Sequence, residues 1–374
     1  MSSEPVSDAA WQQALTRVLR EPAHIALHRQ PIVDLARGVP AGFELLARFS
    51  DPLVAAPPHH WFGAAYRLGL GPALEAAVIR QALRLRSEAP MNTFLTVNLD
   101  PSALEHEEVA RQLLGEQHLG GFIIELTEHT PIADLGRLNG LLERLRERGA
   151  LIAVDDTGTG YADLKRLIDV RPEFVKVDQG FVTGIGGDPV KQALLELVGH
   201  FASRLDAWVI AEGIETEGDL REVLQLGVPL GQGFFLNRPA PAFEPTPPPV
   251  REAIARLRPG GGGELRAAEF AEPVETAPLA SAFEVPGEGT LVLLDAWGRP
   301  ARMWHHGRRS EPLRITSSCG AEDVLRRALT RPAPERFDPV VVTDEDGRPL
   351  GQVRVERLVQ ALLGRGKTGG LAAA

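Results

Sequence analysis

Residues Leu151–Asp156 read LIAVDD, four buried-type residues running straight into two carboxylates. A charged group at the end of a buried strand is expensive unless it is paired or bound to a cation. The same grammar recurs outward along the chain. Upstream stand HIALHRQPI (24–32), FELLARF (43–49), FLTVNL (94–99) and FIIELTE (122–128); downstream stand FVKVD (174–178), WVIAEGI (208–214) and LGQGFF (230–235). β-Branched and aromatic residues dominate these runs, as in buried strands. Helical patterns fill the gaps near 61–87, 102–115, 133–149, 160–169, 188–205 and 216–226. Eight strands alternating with helices predict an α/β fold of the TIM-like (β/α)8 type, with a doubly wound open sheet as the competitor. The polar residues favour the barrel. Glu44, Asn98, Glu125 with Glu128, Asp155 with Asp156, Lys176 with Asp178, Glu212 with Glu215, and Gln232 each close a different run. A barrel gathers its chemistry at the C-terminal ends of many strands, whereas an open sheet concentrates it at one switch point.

The rest of the chain sets the frame. It has 374 residues and a net charge of −10, nearly all of it before Glu264. That balance disfavours a non-specific grip on DNA or an anionic membrane. The single cysteine, Cys319, excludes an intramolecular disulfide, and the N-terminus lacks the basic and apolar regions of a secretory signal. A cytoplasmic protein is expected. The segmentation reads as an N-terminal helix in 1–21, the barrel in 22–243, a Pro/Gly-rich linker with a short helix in 244–263, a small α/β domain in 264–366, and a disordered tail in 367–374. The small domain holds a weak repeat: LVLLDAWGRP (291–300) and VVVTDEDGRP (340–349) lie 49 positions apart.

In a barrel, Glu44, Asn98, Glu125, Asp155, Asp156 and Glu212 point into one cup. Five carboxylates at short range repel and raise one another's pKa. Two divalent cations and Lys176 would balance them. An all-oxygen ligand set without His or Cys favours Mg²⁺ or Mn²⁺ over Zn²⁺. Two such ions can clamp both oxygens of a phosphoryl displacement. Composition and spacing alone reach a metal-dependent barrel enzyme, and an enolising one with Lys176 as base stays open.

The ordered motifs go further. Gln30-Pro31-Ile32-Val33, Glu44-Leu45-Leu46-Ala47-Arg48, VNLDPSAL (97–104), ELTE (125–128), DDTGTGYADL (155–164), VKVD (175–178), AEGIET (211–216) and GQGFFLNRP (231–239) occur in sequence. From about Arg20 to Pro241 the chain resembles the EAL-domain family, the cyclic di-GMP phosphodiesterases of bacteria. The resemblance implies hydrolysis of cyclic di-GMP to linear 5′-pGpG by a two-metal-ion mechanism, which lowers second-messenger levels. Glu44, Asn98, Glu125 and Asp155 would hold one ion. Asp155 would bridge to a second, supported by Asp156 and Glu212. Lys176 and Glu212 would be catalytic, orienting and deprotonating the water. Gln30, Arg48, Asp178, Glu215 and Gln232 would line the substrate site, and Glu128 would brace the loop after Asp156. Leu45, Asp100 and Thr157 depart from the family's usual Ala, Ser and Phe. Those departures leave a second reading open, a receptor that binds cyclic di-GMP and signals through the C-terminal region. That region resembles a pair of cystathionine-β-synthase-type (CBS) motifs with a degenerate first copy. Such a pair implies a regulatory or dimerisation domain, with an adenine nucleotide as a possible ligand. A homodimer is expected.

Overall fold

The computed structural model describes residues 6–368 except Asn92, Gln117, 128–133, 158–160, 259–264, 282–286, Thr330 and Pro332. Glu128, the loop 158–160 and the end of the expected tail therefore lie outside the described residues. Two compact units are present: Met1–Val198 with Val209–Arg258, and Gly199–Trp208 with Pro259–Ala374.

The first unit is a closed eight-stranded barrel in sequence order: β1 (Ile25–Asp34), β2 (Val39–Phe49), β3 (Phe94–Leu99), β4 (Phe122–Leu126), β5 (Leu151–Thr157), β6 (Phe174–Val177), β7 (Trp208–Ala211) and β8 (Leu230–Gly231). One strand departs from an all-parallel barrel. β1 runs antiparallel to both β2 and β8. The reason is the connection. Only four residues separate β1 from β2, too few for a parallel crossover. Asp34 Oδ1 accepts the N–H groups of Ala36 and Arg37, and Gly38 takes the left-handed φ of 69° that closes the turn. The hairpin extends to Ile25 opposite Phe49, so its open end projects past the end of the β2–β3 pairing, which covers Gly42–Leu45.

Apolar packing fixes the strands. Phe43, Phe94, Phe122 and Phe174 are fully buried, and the Phe94 and Phe174 ring centroids stand 5.4 Å apart. A Cβ at Gly42 would meet the Phe94 ring at 2.2 Å, so the missing side chain makes room for that ring. The expected helix over 61–87 is two helices, Pro58–Arg67 and Gly71–Leu85. Gly69, at φ 73°, and Pro72, in the first turn of the second helix, break the pattern. The helix Pro248–Leu257 belongs to the first unit.

In the second unit, β9 (Glu275–Pro278), β10 (Thr290–Leu294), β11 (Pro300–His305) and β12 (Arg308–Ser310) form one sheet, and β13 (Arg314–Thr316), β14 (Val340–Thr343) and β15 (Pro349–Val353) another. The sequence repeat has a structural counterpart. β9 pairs parallel with β10, which pairs antiparallel with β11 and slips register between Leu293 and Leu294. β13, β14 and β15 repeat this, slipping between Val342 and Thr343. Both turns close alike: Arg299 N–H donates to Asp295 Oδ1, and Arg348 N–H donates to Asp344 Oδ1. Ile315, Val324, Val340, Val342, Val353 and Leu358 form the main core of this unit. Among the described residues no helix is long and apolar enough to cross a membrane.

Candidate active site

Each barrel strand, or the residue just beyond it, delivers one polar side chain to a common centre. Glu44 comes from β2, Asn98 from β3, Glu125 from β4, Asp155 from β5 and Lys176 from β6. Glu212 and Gln232 follow β7 and β8, and Gln30 lies on β1. β5 reaches the site through a bulge: Val154 pairs with Val175, but Thr157 pairs with Val177, so Asp155 and Asp156 face a single residue of β6. A bulge of this kind re-aims side chains at the end of a strand. Glu212 N–H donates to Val177 O, and Gln232 N–H donates to Ala211 O, which locks the two loop residues to neighbouring strands.

Lys176 is the centre of the cluster. Its Nζ lies 2.6 Å from Glu212 Oε1, 3.0 Å from Asp155 Oδ1, 3.3 Å from Glu125 Oε2 and 3.6 Å from Glu44 Oε1. Burial alone would lower the Lys176 pKa, but the four carboxylates outweigh it and hold the ammonium well above its ordinary range. One ammonium against four acids leaves three negative charges in excess. Burial therefore pushes Glu125 well up and Glu212 to about 8, although Lys176 pulls both down. Lys176 is therefore held charged, while burial and mutual repulsion favour the protonated forms of Glu125 and Glu212.

A second chain of contacts flanks the first. Asn98 Nδ2 donates to Glu44 Oε1 at 2.8 Å. Gln232 Nε2 donates to Glu44 Oε2 at 2.6 Å and to Gln30 Oε1 at 3.0 Å. Gln30 Nε2 in turn reaches the Asn237 carbonyl at 3.3 Å, a backbone contact that no side-chain pattern announces. Arg48 is half-buried and lies within the field of Glu44, while desolvation lowers its pKa. Asp178 and Glu215 stand apart: Asp178 caps its own short helix through Gly180 N–H, and Glu215 is exposed. Asp156 lies in β5 next to Asp155.

The donor set suits a hard cation. Asn98 Oδ1, Glu125 Oε1, Asp155 Oδ1, Glu212 Oε1 and Gln232 Oε1 are buried and accept no hydrogen bond, although the Asp155 and Glu212 oxygens face the Lys176 ammonium. Buried unpaired oxygens are costly and call for a partner. All five are oxygens, the preference of Mg²⁺, Mn²⁺ and Ca²⁺. Among the described residues no group of three or more His, Cys, Asp or Glu side chains is arranged to hold a cation, and the Lys176 ammonium stands among the acids.

The barrel has counterparts in known proteins. The cyclic di-GMP phosphodiesterase PdeF of Escherichia coli strain K12 is 29% identical over 245 residues, which cover 62% of this chain and 32% of PdeF. The solved PaMucR phosphodiesterase in complex with c-di-GMP is 29% identical, with a TM-score of 0.55, covering 62% of this chain and 98% of that one. The manganese/cy-diGMP complex of Klebsiella pneumoniae BlrP1 is 27% identical, with a TM-score of 0.53, covering 60% and 58%. The chain spans less than half the length of curated relatives such as PdeF, DosP and PdeN of that E. coli strain. The family model for the EAL domain matches residues 9–239. With that match over more than half its length, the chain belongs to the EAL domain family.

Proposed function

We propose that the barrel hydrolyses cyclic di-GMP to linear 5′-pGpG. The observation that carries this reading is the convergence of Glu44, Asn98, Glu125, Asp155 and Glu212 around Lys176, in a barrel whose relatives are named as cyclic di-GMP phosphodiesterases. Glu44, Asn98, Glu125, Asp155, Asp156 and Glu212 would hold two Mg²⁺ or Mn²⁺ ions. Such ions, when bound, acidify water and neutralise phosphate charge.

The side chains divide the remaining work. Arg48 offers a permanent cation to a phosphate of the dinucleotide. Gln30 and Gln232, linked to each other and to Glu44, fix the substrate-facing edge of the acid cluster. Asp178 and Glu215 would join the substrate site as the family resemblance implies. Lys176 orients the attacking water by donating to its oxygen. Glu212, whose Oε1 lies 2.6 Å from Lys176 Nζ, would accept the water's proton as a carboxylate once cations offset the neighbouring acids. The water oxygen bonds to phosphorus, the P–O3′ bond breaks, and the 3′-oxygen takes up a proton to leave a free hydroxyl.

The wider setting belongs to the same proposal. Residues 264–366 act as a CBS-like regulatory domain; the repeated parallel–antiparallel strand pattern supports this. An adenine nucleotide is its candidate ligand, the protein works as a homodimer, and its place is the cytoplasm. The decisive experiment incubates the full chain with cyclic di-GMP and Mg²⁺ or Mn²⁺. Linear product, abolished by Glu44→Ala, is expected. Tight binding without turnover would replace the enzyme with a receptor.

A further inference from the structure

The β1–β2 hairpin carries more of the site's wall than the motifs name. Across it, Gln30 pairs with Glu44, His28 with Leu46 and Ala26 with Arg48. Directly paired residues share a face, and so do residues two apart on one strand. Gln30, His28, Ala26, Glu44, Leu46 and Arg48 therefore form one continuous surface. Its lower pair is buried in the acid cluster, with Gln30 and Glu44 7% and 6% exposed. Above that pair the surface opens: His28, Leu46 and Arg48 are partly exposed, while Ile25, Leu27, Leu45 and Ala47 on the opposite face are buried. His28 thus stands one step beyond Gln30, beside an apolar Leu46 and near the Arg48 guanidinium, in a row that leads out of the site.

We propose that His28 reads a base edge of the dinucleotide. The proposal rests on the cyclic di-GMP reading and extends it to a residue that no motif singled out. The surface has the parts that purine recognition needs: the side chain of Leu46 for a ring face, a phosphate-binding cation in Arg48, and between Gln30 and Ala26 a group that can both donate and accept. Desolvation, with Arg48 and Arg29 nearby, keeps the His28 imidazole below its ordinary pKa, so the ring is neutral at pH 7. A neutral imidazole offers one N–H donor and one acceptor nitrogen. Guanine presents N7 and O6 as acceptors and its N1 and N2 hydrogens as donors, so either ring nitrogen finds a match. Arg29, the neighbour in sequence, turns the other way and donates to the Leu27 and Pro241 carbonyls.

The test compares His28→Ala and His28→Gln with wild type on two substrates in Mn²⁺: cyclic di-GMP and bis(p-nitrophenyl) phosphate, a phosphodiester without a base. Loss of one hydrogen bond to a neutral group corresponds to a roughly five- to tenfold effect. His28→Ala should raise KM for cyclic di-GMP by about that factor and leave kcat within twofold. KM for bis(p-nitrophenyl) phosphate should not move, and His28→Gln should recover part of the loss. An unchanged KM for cyclic di-GMP overturns the assignment while leaving the phosphodiesterase reading intact. Equal losses on both substrates also overturn it, because His28 would then act on the phosphate or the fold. A wild type that hydrolyses neither substrate and does not bind cyclic di-GMP overturns both readings.

Discussion

Replacing Lys176 with methionine tests the arrangement at the heart of the barrel. Lys176 is 1% exposed, and methionine nearly matches its length without the charge. The substitution leaves Glu44, Glu125, Asp155 and Glu212, now between 2.6 and 3.6 Å from the ammonium, with no internal cation. Removing one partner of a buried ion pair costs about 3–5 kcal/mol, because the remaining charge stays buried and uncompensated. Proton uptake by Glu125 and Glu212, whose pKa values burial already raises, keeps the loss within that range. At about 2–4 °C per kcal/mol for a domain of this size, the barrel transition should fall by about 6–20 °C. The assay is a thermal melt in EDTA, followed by a manganese titration. A cation present at about a hundred times its dissociation constant contributes about 2.7 kcal/mol per site. Manganese should therefore restore most of the lost stability in the variant and raise the wild-type Tm less, because there it competes with the ammonium. Turnover should fall at least a hundredfold with KM little changed, as expected when a group acts on the attacking water. A Tm in EDTA within about 2 °C of wild type, under 1 kcal/mol on the same scale, would refute the charge argument. An unchanged kcat would remove Lys176 from the mechanism.

Three further outcomes follow from individual side chains. Arg48→Ala should raise KM for cyclic di-GMP more than tenfold in steady-state assays and change kcat only a few-fold, and a selective loss of kcat would contradict its placement on a phosphate. Burial pushes the Glu75 carboxyl, held by Tyr66 OH and the Asp100 N–H, up to about 8; its stability contribution is complete below the unfolded value near 4.5 and is lost as pH rises toward 8, at about 1.4 kcal/mol per unit. Glu75→Gln keeps an acceptor, so melts of variant and wild type at pH 5 and pH 8 should diverge by about 3–5 kcal/mol in the variant's favour at the higher pH, and a pH-independent difference would exclude the buried acid as the cause. Gly213 follows Glu212 at φ 70°, where a Cβ would lie 2.5 Å from Gln179 Cβ; Gly213→Ala should lower kcat at least tenfold by displacing Glu212, and circular dichroism should show the fold intact, whereas full activity would mean the loop has slack.

The barrel and much of the candidate cluster were legible because polar residues interrupt apolar runs, most of them near a strand end. Asn98, Glu125, Asp155 and Lys176 sit near the ends of β3, β4, β5 and β6, whereas Glu44 lies in the middle of β2. What was not legible depends on contacts that have no local signal. Chain direction in β1 is set by a four-residue turn and not by the strand's own composition, which reads like any other buried strand. β8 pairs through only two residues, Leu230 and Gly231, and the rest of LGQGFF is a turn that presents Gln232. A Cβ at Gly233 would lie 2.2 Å from the Ile214 carbonyl oxygen, so that turn depends on a tertiary approach. The bulge at Asp155 and Asp156 is likewise invisible in LIAVDD, because an extra residue in a strand shows only against its partner. Asp178 closes FVKVD with the same pattern as the clustered acids, yet its carboxylate caps a helix. A strand-end acid and a helix N-cap look alike in sequence, since β6 is followed at once by the short helix Gln179–Val182.

The acids converge because hydrophobic strands carry them there, and their mutual repulsion must be met by something in every state of the protein. Lys176 meets part of it from within: a single buried ammonium touches four strands' worth of carboxylates. That leaves the cluster with more acid than cation, and with unpaired oxygens on Glu125 and Asn98. A fully neutralised cluster would have little affinity for divalent ions, and one without Lys176 would be too costly to fold in their absence. Under the proposed mechanism that intermediate balance would let one residue serve both ends, holding the strand ends together before ions arrive and standing beside the water once they have.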